Sequence, residues 1–523
     1  MNAIPFSYPA GCAFSSVDDI RGKKITVMGL GLNGGGEACV RFFLSHGASV
    51  TATDMKTAEQ LKPTIDSIEN DAALDRRRLV YRLGRHVMED FSSADCVIKN
   101  PGVKIEGNAY LAAAKAVETD ISIFLRFTKS PIIAVTGSKG KSSTVSALHY
   151  GLSEAGFRAF LGGNITVSPL SFLEETGAGT PVILELSSWQ LADLRGRGVL
   201  KPHISIITKI VPDHQNWYSG MEPYIADKRL VYADQTPDDF AIFDANGDEP
   251  GTGPACGGTW GDCFAAEANA AVLRYSTSPL PRGVYGVWQE RDSGGFCGNV
   301  LLPGMEAPET ILRGLAVPGD HMRTNVLNAA LVMRLMHVPA EKIIRILGGW
   351  QGIAHRLQCF HTFQTGGGTD APRIRFFNDS CATVPEAAAA ASQAFGRPVV
   401  LIAGGTDKGL SFEPLVQTLA GAAPEGSVPP RALYLLAGTG TDKMLPALDA
   451  AGVPYKGPFE SLQSLLLQLR ADAAGFSEDA AVVFSPGATS FGMFANEFHR
   501  GNAFMECVRG LFPNNPDIGG AER

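Results

Sequence analysis

The segment Pro131-Ile-Ile-Ala-Val-Thr136-Gly137-Ser138-Lys139-Gly140-Lys141-Ser142-Ser143 constrains the fold more than any other stretch of this chain. A short apolar run, a glycine-punctuated loop and a helical pattern read as a buried parallel strand, a tight turn and a helix. Such a strand sits in a sheet covered on both faces. In that setting the loop N–H groups and the helix N-terminus cradle a phosphate, Lys141 offsets its charge, and the Ser142 hydroxyl can meet Mg²⁺. The general pattern G-x-x-x-x-G-K-[ST] wants Gly where Val135 stands, so the loop is a shortened variant.

The same grammar opens the chain. Lys24–Gly29 reads as a strand, Glu37–His46 as a helix and Ala48–Asp54 as a second strand, with Gly29-Leu30-Gly31-Leu32-Asn33-Gly34 as the turn between the first two. This G-x-G-x-x-G suits a dinucleotide, another nucleotide, or glycines that serve only the turn, and the motif alone leaves all three open. Asp54 ends the second strand, where an acid can meet a ribose. A later strand, Asp95–Asn100, stops at the turn pair Pro101-Gly102.

Composition narrows the class. The 523 residues are 45% hydrophobic and 19% charged, which excludes a disordered or fibrous chain, and the net charge of −8 without basic runs argues against nucleic-acid binding. Nine cysteines stand singly with no CxxC, as suits a reducing compartment. The N-terminus has no basic start followed by an apolar core, and no apolar run approaches the ~20 residues of a membrane span. A soluble, cytoplasmic protein is expected, without nucleic-acid partner or membrane insertion. Its class is α/β in three blocks: 1–128, Rossmann-like; 129–353, a P-loop ATPase-type domain with a mainly parallel sheet; and 354–523, again Rossmann-like. Residues 246–310 read as irregular strands and loops. Gly348, Gly349 and Gly352 mark a hinge.

Further polar groups stand at predicted strand ends, the crevice side of open α/β sheets. Glu185 ends one strand, and Asp213-His214 follow another. Carboxylate oxygen suits Mg²⁺ better than imidazole does. Lys228 lies in a helical stretch, Glu222–Asp234, where a lysine is ordinarily solvated. In the third block His355-Arg356, Asn378-Asp379-Ser380, Gly404–Gly409 with Lys408, and Ser485–Ser490 compose a polar anion site.

These residues, in this order from 24 to about 505, resemble the Mur ligase family. The loop Gly137–Ser142 matches G-[TS]-[NK]-G-K-[TS], Glu185–Gln190 matches E-[LV]-S-S-[FW]-Q, and Asp213-His214 and Lys228 match the metal position and the carbamylated lysine. The opening GLGLNG, His355-Arg356, NDS-x-AT at 378–383, GG-x-x-KG at 404–409 and SP…SF…NEFxRG at 485–501 point to the branch that adds D-glutamate. Three positions depart from the pattern: Cys381 replaces Lys in N-D-S-K-A-T, Asn100 replaces Ser in S-P-G, and Met322 replaces Asn in H-N-x-x-N.

The resemblance implies ATP-dependent ligation of D-glutamate to UDP-N-acetylmuramoyl-L-alanine through an acyl phosphate, in peptidoglycan precursor synthesis, by a monomer. It implies ATP contacts from Gly137, Ser138, Lys139, Gly140, Lys141, Ser142, Ser143, Asn325, Arg356 and Asp379. Substrate contacts would come from Leu32, Asn33, Asp54, Gly102, Asn164, Ser187, Gln190, Thr383, Lys408, Ser490 and Phe491. Two Mg²⁺ ions would be held by Ser142, Glu185, His214 and Lys228, the last as a carbamate formed with CO₂, and Lys141, His214 and Lys228 would act in catalysis. The competing readings are a sibling ligase adding another residue, an NAD-dependent oxidoreductase resting on GxGxxG alone, and a nucleotide-gated binding protein without chemistry.

Overall fold

The computed structural model describes residues 14–214, 218–248, 251–255, 257–293, 295–365, 371–423 and 426–513. The first thirteen residues, part of the stretch read above for a signal sequence, lie outside them. The chain forms two compact units, one of residues 1–312 with 324–344, the other of 313–323 with 345–523.

The first unit holds two sheets. Strands β1 (Lys24–Met28), β2 (Ser49–Asp54), β3 (Leu79–Leu83), β4 (Cys96–Lys99) and β5 (Val117–Glu118) pair in parallel in the order β3-β2-β1-β4-β5. The order reverses between β1 and β4, so a crevice opens at their carboxyl ends, where ligands bind doubly wound sheets. The Gly29–Gly34 turn and Asn100–Gly102 stand there. Met28 pairs with Lys99 in register.

The second sheet has nine strands: β6 (Ile132–Thr136), β7 (Phe160–Gly163), β8 (Val182–Glu185), β9 (Ile204–Ile207), β10 (Phe240–Asp244), β11 (Ala271–Ser276), β12 (Gly286–Asp292), β13 (Gly295–Leu301) and β14 (Glu309–Arg313). Their order is β14-β13-β12-β11-β10-β9-β6-β8-β7. From β7 to β12 the pairs are parallel, and β12 with β13 forms an antiparallel hairpin. The expectation for residues 246–310 is corrected here. The stretch contributes a helix, Trp260–Glu267, and three regular strands, β11, β12 and β13, each flanked by a strand on both sides. Its glycines and exposed polar positions mask the alternation: Gly298 interrupts β13, and β12 is buried over its first four residues and exposed over its last three.

Every residue of β6 and β8 is buried, as continuous Val/Ile/Leu runs require of central parallel strands. One apolar cluster runs through both sheets, from Ile25, Val27 and Phe43 through Phe124 and Phe172 to Leu184 and Phe243. Each such side chain contributes roughly 1.5–3 kcal/mol on burial.

The second unit carries a six-stranded sheet of β15 (Gln358–Gln364), β16 (Arg373–Asn378), β17 (Val400–Gly404), β18 (Ala432–Leu436), β19 (Lys456–Phe459) and β20 (Ala480–Phe484), in the order β15-β16-β20-β17-β18-β19. Only β15 runs antiparallel among these pairs. Asn378–Ser380, Gly404–Thr406 and Ser485–Ser490 follow the carboxyl ends of β16, β17 and β20, three strands that are neighbours in the sheet. No helix of the described residues is long and apolar enough to cross a membrane.

Candidate active site

The loop after β6 is shaped by two close approaches. Gly137 and Gly140 have φ of +140° and +96°, a region that side chains disfavour. A Cβ on Gly137 would stand 2.0 Å from Thr208 Oγ1, and one on Gly140 would stand 2.4 Å from Asn325 Oδ1. The loop therefore lies against the end of β9 on one side and against the helix Asp320–Leu335 on the other. The amides of Ser138 and Lys139 donate to the Lys209 carbonyl at 3.0 and 3.1 Å, which commits them to holding the loop. The amides opening the helix Lys141–Glu154 have no carbonyl a turn earlier to reach, so they are the donors left for a phosphate.

Two lysines converge on this loop. Lys141 Nζ donates to the carbonyls of Gly137 at 2.8 Å and Ser138 at 3.0 Å. Burial lowers its pKa, and the charges of Glu185 and Asp213 oppose that shift. Lys228, only 1% exposed, donates to the same Gly137 carbonyl at 2.8 Å. Its nitrogen lies 4.5 Å from the centre of the Tyr224 ring, one turn earlier in the helix Met221–Lys228. Burial first, then the charge of Lys141, pushes the Lys228 amine well below the ordinary lysine range. The sequence default of a solvated helix lysine is thus corrected: the helix turns this residue inward. Tyr224 also donates to Ser138 Oγ at 2.9 Å, and Ser138 Oγ in turn donates to the Val211 carbonyl at 2.8 Å.

Glu185 ends β8 with 1% exposure. Its Oε1 accepts from Asn164 Nδ2 at 3.0 Å, while Oε2 is buried without a hydrogen-bond partner among the described residues. A buried carboxylate oxygen left unsatisfied is costly unless a cation meets it. His214 has a φ of +52° and packs its ring on Trp189, 4.9 Å between centres. The neighbouring Asp213 lies 3.9 Å from Lys139 Nζ. Among the described residues no three His, Cys, Asp or Glu side chains converge as a metal centre. Ser142 stands in the first turn of the helix Lys141–Glu154, and Glu185 ends β8, the strand that pairs with β6 beside the loop.

At the crevice of the first sheet, the Gly31 amide donates to Asp54 Oδ2 at 3.0 Å, and Asp54 Oδ1 accepts from the Lys56 amide at 2.9 Å. Asp54 therefore braces the glycine turn. Leu32, 49% exposed, and the exposed Asn33 stand clear at its tip. The Gly102 amide donates to Asn100 Oδ1 at 3.0 Å. A Cβ on Gly34 would lie 3.2 Å from the Thr166 carbonyl, so this turn abuts the segment following β7, which carries Asn164.

In the second unit, Asp379 Oδ1 accepts from the Leu357 amide at 3.1 Å and Oδ2 from Ser485 Oγ at 2.7 Å. Burial pushes its pKa up to about 6, against these hydrogen bonds and Arg356. Arg500, 1% exposed, donates to Ser380 Oγ, the Ser380 carbonyl and the Ala488 carbonyl at 2.8–3.0 Å. It thereby joins the loops after β16 and β20. A cavity of about 170 Å³ opens beside it, lined by Gly405, Thr406, Ser490 and Phe491 among others. Lys408 is exposed and Thr383 half-buried.

Comparison with known proteins bears directly on this arrangement. The Mur ligase middle domain matches residues 135–254, and the Mur ligase MurD-like N-terminal domain matches 23–123. The UDP-N-acetylmuramoylalanine--D-glutamate ligase of Treponema pallidum is 40% identical, over 94% of this chain and 98% of that protein. The chain belongs to the Mur ligase family. Proteins of the same name from Borreliella afzelii and Roseiflexus sp. are 35% and 34% identical, each over 94% of this chain and 99% of the relative. Two solved Mur ligases share the fold: the UDP-N-acetylmuramate-alanine ligase MurC of Thermotoga maritima and MurF of Acinetobacter baumannii. The first has a TM-score of 0.52 and 16% identity, covering 93% of this chain and 99% of that one. The second has 0.51 and 14%, covering 87% and 91%.

As a Mur ligase, the chain brings Gly137, Gly140, Lys141, Asn325, Glu185, Asn164 and Lys228 around one loop. Ser187 and Gln190 form a reciprocal cap at the start of the helix Ser188–Leu194, with Gln190 N to Ser187 Oγ at 3.2 Å and Ser187 N to Gln190 Oε1 at 3.0 Å. Arg356, Asp379, Thr383, Lys408, Ser490 and Phe491 belong to the other unit. Sequence reasoning missed Thr208, whose hydroxyl packs on Gly137, and Tyr224. Tyr224 was legible in principle, because it precedes Lys228 by one helical turn and so shares its face.

Proposed function

We propose that the protein is an ATP-dependent ligase that joins D-glutamate to UDP-N-acetylmuramoyl-L-alanine in peptidoglycan precursor synthesis. The observation that carries the reaction class is the convergence of Lys141, Lys228 and the partnerless Oε2 of Glu185 on one phosphate loop. The choice of amino acid rests on relatives of that name spanning 94% of the chain. We assign 1–128 to the UDP-sugar, 129–353 to ATP and 354–523 to D-glutamate.

In this reading the first-turn amides of the 141–154 helix and Lys141 hold the ATP phosphates. Asn325, Arg356 and Asp379 contact the nucleotide. Leu32, Asn33 and Gly102 meet the uridine diphosphate, with Asp54 holding the turn. Asn164, Ser187 and Gln190 border the path of the muramoyl-alanine. Its carboxylate oxygen attacks the γ-phosphorus, ADP leaves, and an acyl phosphate results. The amine of D-glutamate, held by Lys408, Thr383, Ser490 and Phe491, then attacks the acyl carbon. The amine loses a proton and inorganic phosphate leaves. Lys141 stays paired with the transferring oxygens throughout, which is the main stabilisation a charge-rich phosphoryl transfer needs from protein.

The donor set fits Mg²⁺. Ser142, Glu185, His214 and a carbamylated Lys228 would hold two ions, which supply charge neutralisation on the phosphates when bound. Lys228 suits carbamylation because its depressed pKa favours the neutral amine, the form that adds CO₂ and loses a proton. The deciding experiment is phosphate release from ATP with UDP-N-acetylmuramoyl-L-alanine and a panel of amino acids. D-glutamate should be the amino acid turned over. Turnover with L-alanine or a diamino acid and none with D-glutamate refutes the assignment.

A further inference from the structure

Away from the phosphate loop, the first unit buries a crossed set of charges that the reaction does not use. Lys99, the last residue of β4, is 2% exposed and pairs with Asp193, itself 5% exposed. Arg197, four residues after Asp193, carries the opposite charge: it pairs with the fully buried Glu118 of β5 at 2.7 Å and donates to the Val117 carbonyl at 2.6 Å. Arg197 also donates from Nε to the Asp193 carbonyl at 2.7 Å, which closes the square. The first sheet thus supplies one cation and one anion, and the segment around the helix Ser188–Leu194 supplies their opposites.

Both ends of the Lys99 pair lead to substrate-facing groups. Lys99 precedes Asn100, whose side chain forms the Asn100–Gly102 turn and packs so near Gly29 that a Cβ there would lie 2.8 Å from its own Cβ. Lys99 also lines a small cavity with Gly29, Gly35, Gly36 and Asn100 under the glycine turn. Asp193 sits one turn after Gln190 and Trp189 in a helix whose cap, Ser187, stands two residues after Glu185. Trp189 carries the ring of His214.

We propose that Lys99 is a positioning residue for ligation. Its pair with Asp193 fixes the nucleotide-sugar crevice between β1 and β4 relative to the helix that follows Glu185, so that the acceptor carboxylate reaches the phosphate loop. This rests on the reading of that crevice as the UDP-sugar site. A buried pair is weak evidence for stability, because apolar replacements of similar volume are often neutral or stabilising, and the role left for it here is to direct geometry.

That contrast supplies the test. Lys99→Met leaves the buried Asp193 carboxylate without its ion-pair partner and should lower the melting temperature. Lys99→Met/Asp193→Leu removes both charges and should recover it. Asp193→Asn keeps the shape and loosens the pair. Steady-state kinetics should show kcat/KM for UDP-N-acetylmuramoyl-L-alanine falling between about five- and a hundredfold in every folded variant. Calorimetry should show ATP affinity unchanged. A folded double variant or Asp193→Asn with acceptor kcat/KM less than about fivefold reduced overturns the inference and leaves the pair structural. Loss of ATP affinity in equal measure overturns it too. A wild-type protein that does not turn over this acceptor defeats the functional reading first, and this one with it.

Discussion

Lys141 and Lys228 donate to one acceptor, each nitrogen 2.8 Å from the carbonyl oxygen of Gly137. Two ammonium groups sharing one carbonyl repel strongly in a buried site. Lys228, the more deeply buried of the two, is the one whose ammonium is pushed further below the ordinary lysine range.

A lysine whose pKa is pushed down sheds its proton more readily and so is better placed to become a carbamate. Lys228→Ala should abolish ligation, and millimolar acetate should restore part of it by placing a carboxylate in the vacated space. Near-normal phosphate release by Lys228→Ala in CO₂-depleted buffer would falsify the assignment.

Gly140→Ala tests the loop. The new methyl would meet Asn325 Oδ1 at 2.4 Å with φ at +96°. Strain of about 1–3 kcal/mol should weaken nucleotide binding about tenfold or more. Titration calorimetry with ATP reads this directly, and unchanged affinity would mean that the loop can relax away from Asn325.

Asn164→Ala leaves Glu185 without its hydrogen-bond donor. Groups that orient a metal ligand typically matter ten- to a hundredfold, so the Mg²⁺ concentration for half-maximal activity should rise by about that factor. If the magnesium titration does not move, Asn164 acts on the substrate instead.

Lys408→Ala should raise the KM for D-glutamate at least about tenfold, as loss of a carboxylate partner does, and leave the KM for ATP within about twofold. Cys381 stands where the family pattern has Lys, so no second ammonium compensates at that position. An unaltered D-glutamate KM would remove Lys408 from recognition.

Asp379 gives a pH signature to the second unit. Its folded pKa of about 6 lies above the ordinary 3.8, so the folded state holds the extra proton between those values. The carboxyl therefore favours folding below pH ~4, and that contribution of about 3 kcal/mol is lost as pH rises through 6. Asp379→Asn should shrink the fall in melting temperature between pH 5 and pH 8 by roughly 3–6 °C. A fall as large as in the wild type would show that another group titrates.

Much of this site was legible because strand-end motifs are local. Gly137–Ser142 and Glu185 declare themselves by a buried apolar run followed by polar punctuation, and the fold places such ends together by rule. Lys228 was different. Nothing in its own helix distinguishes it from a solvated lysine, and only the packing of that helix under the loop shows its burial. Asn325 met Gly140 across 185 positions of sequence, a juxtaposition no local pattern encodes. Residues 271–301 defeated the period-2 reading because Gly298 interrupts β13 and the first four residues of β12 are all buried.

The strand order of the second unit also bears on how the chain is made. Among the described residues β20 is the last strand in chain order, yet it lies in the middle of its sheet, between β16 and β17. Until Ala480–Phe484 has emerged from the ribosome, β16 and β17 lack the strand that joins them, and each keeps an edge of unpaired backbone N–H and C=O groups. This block therefore closes after translation of its final strand, not progressively during it. A message truncated shortly before codon 480 would release a product with two open edges, primed to pair with other copies of itself.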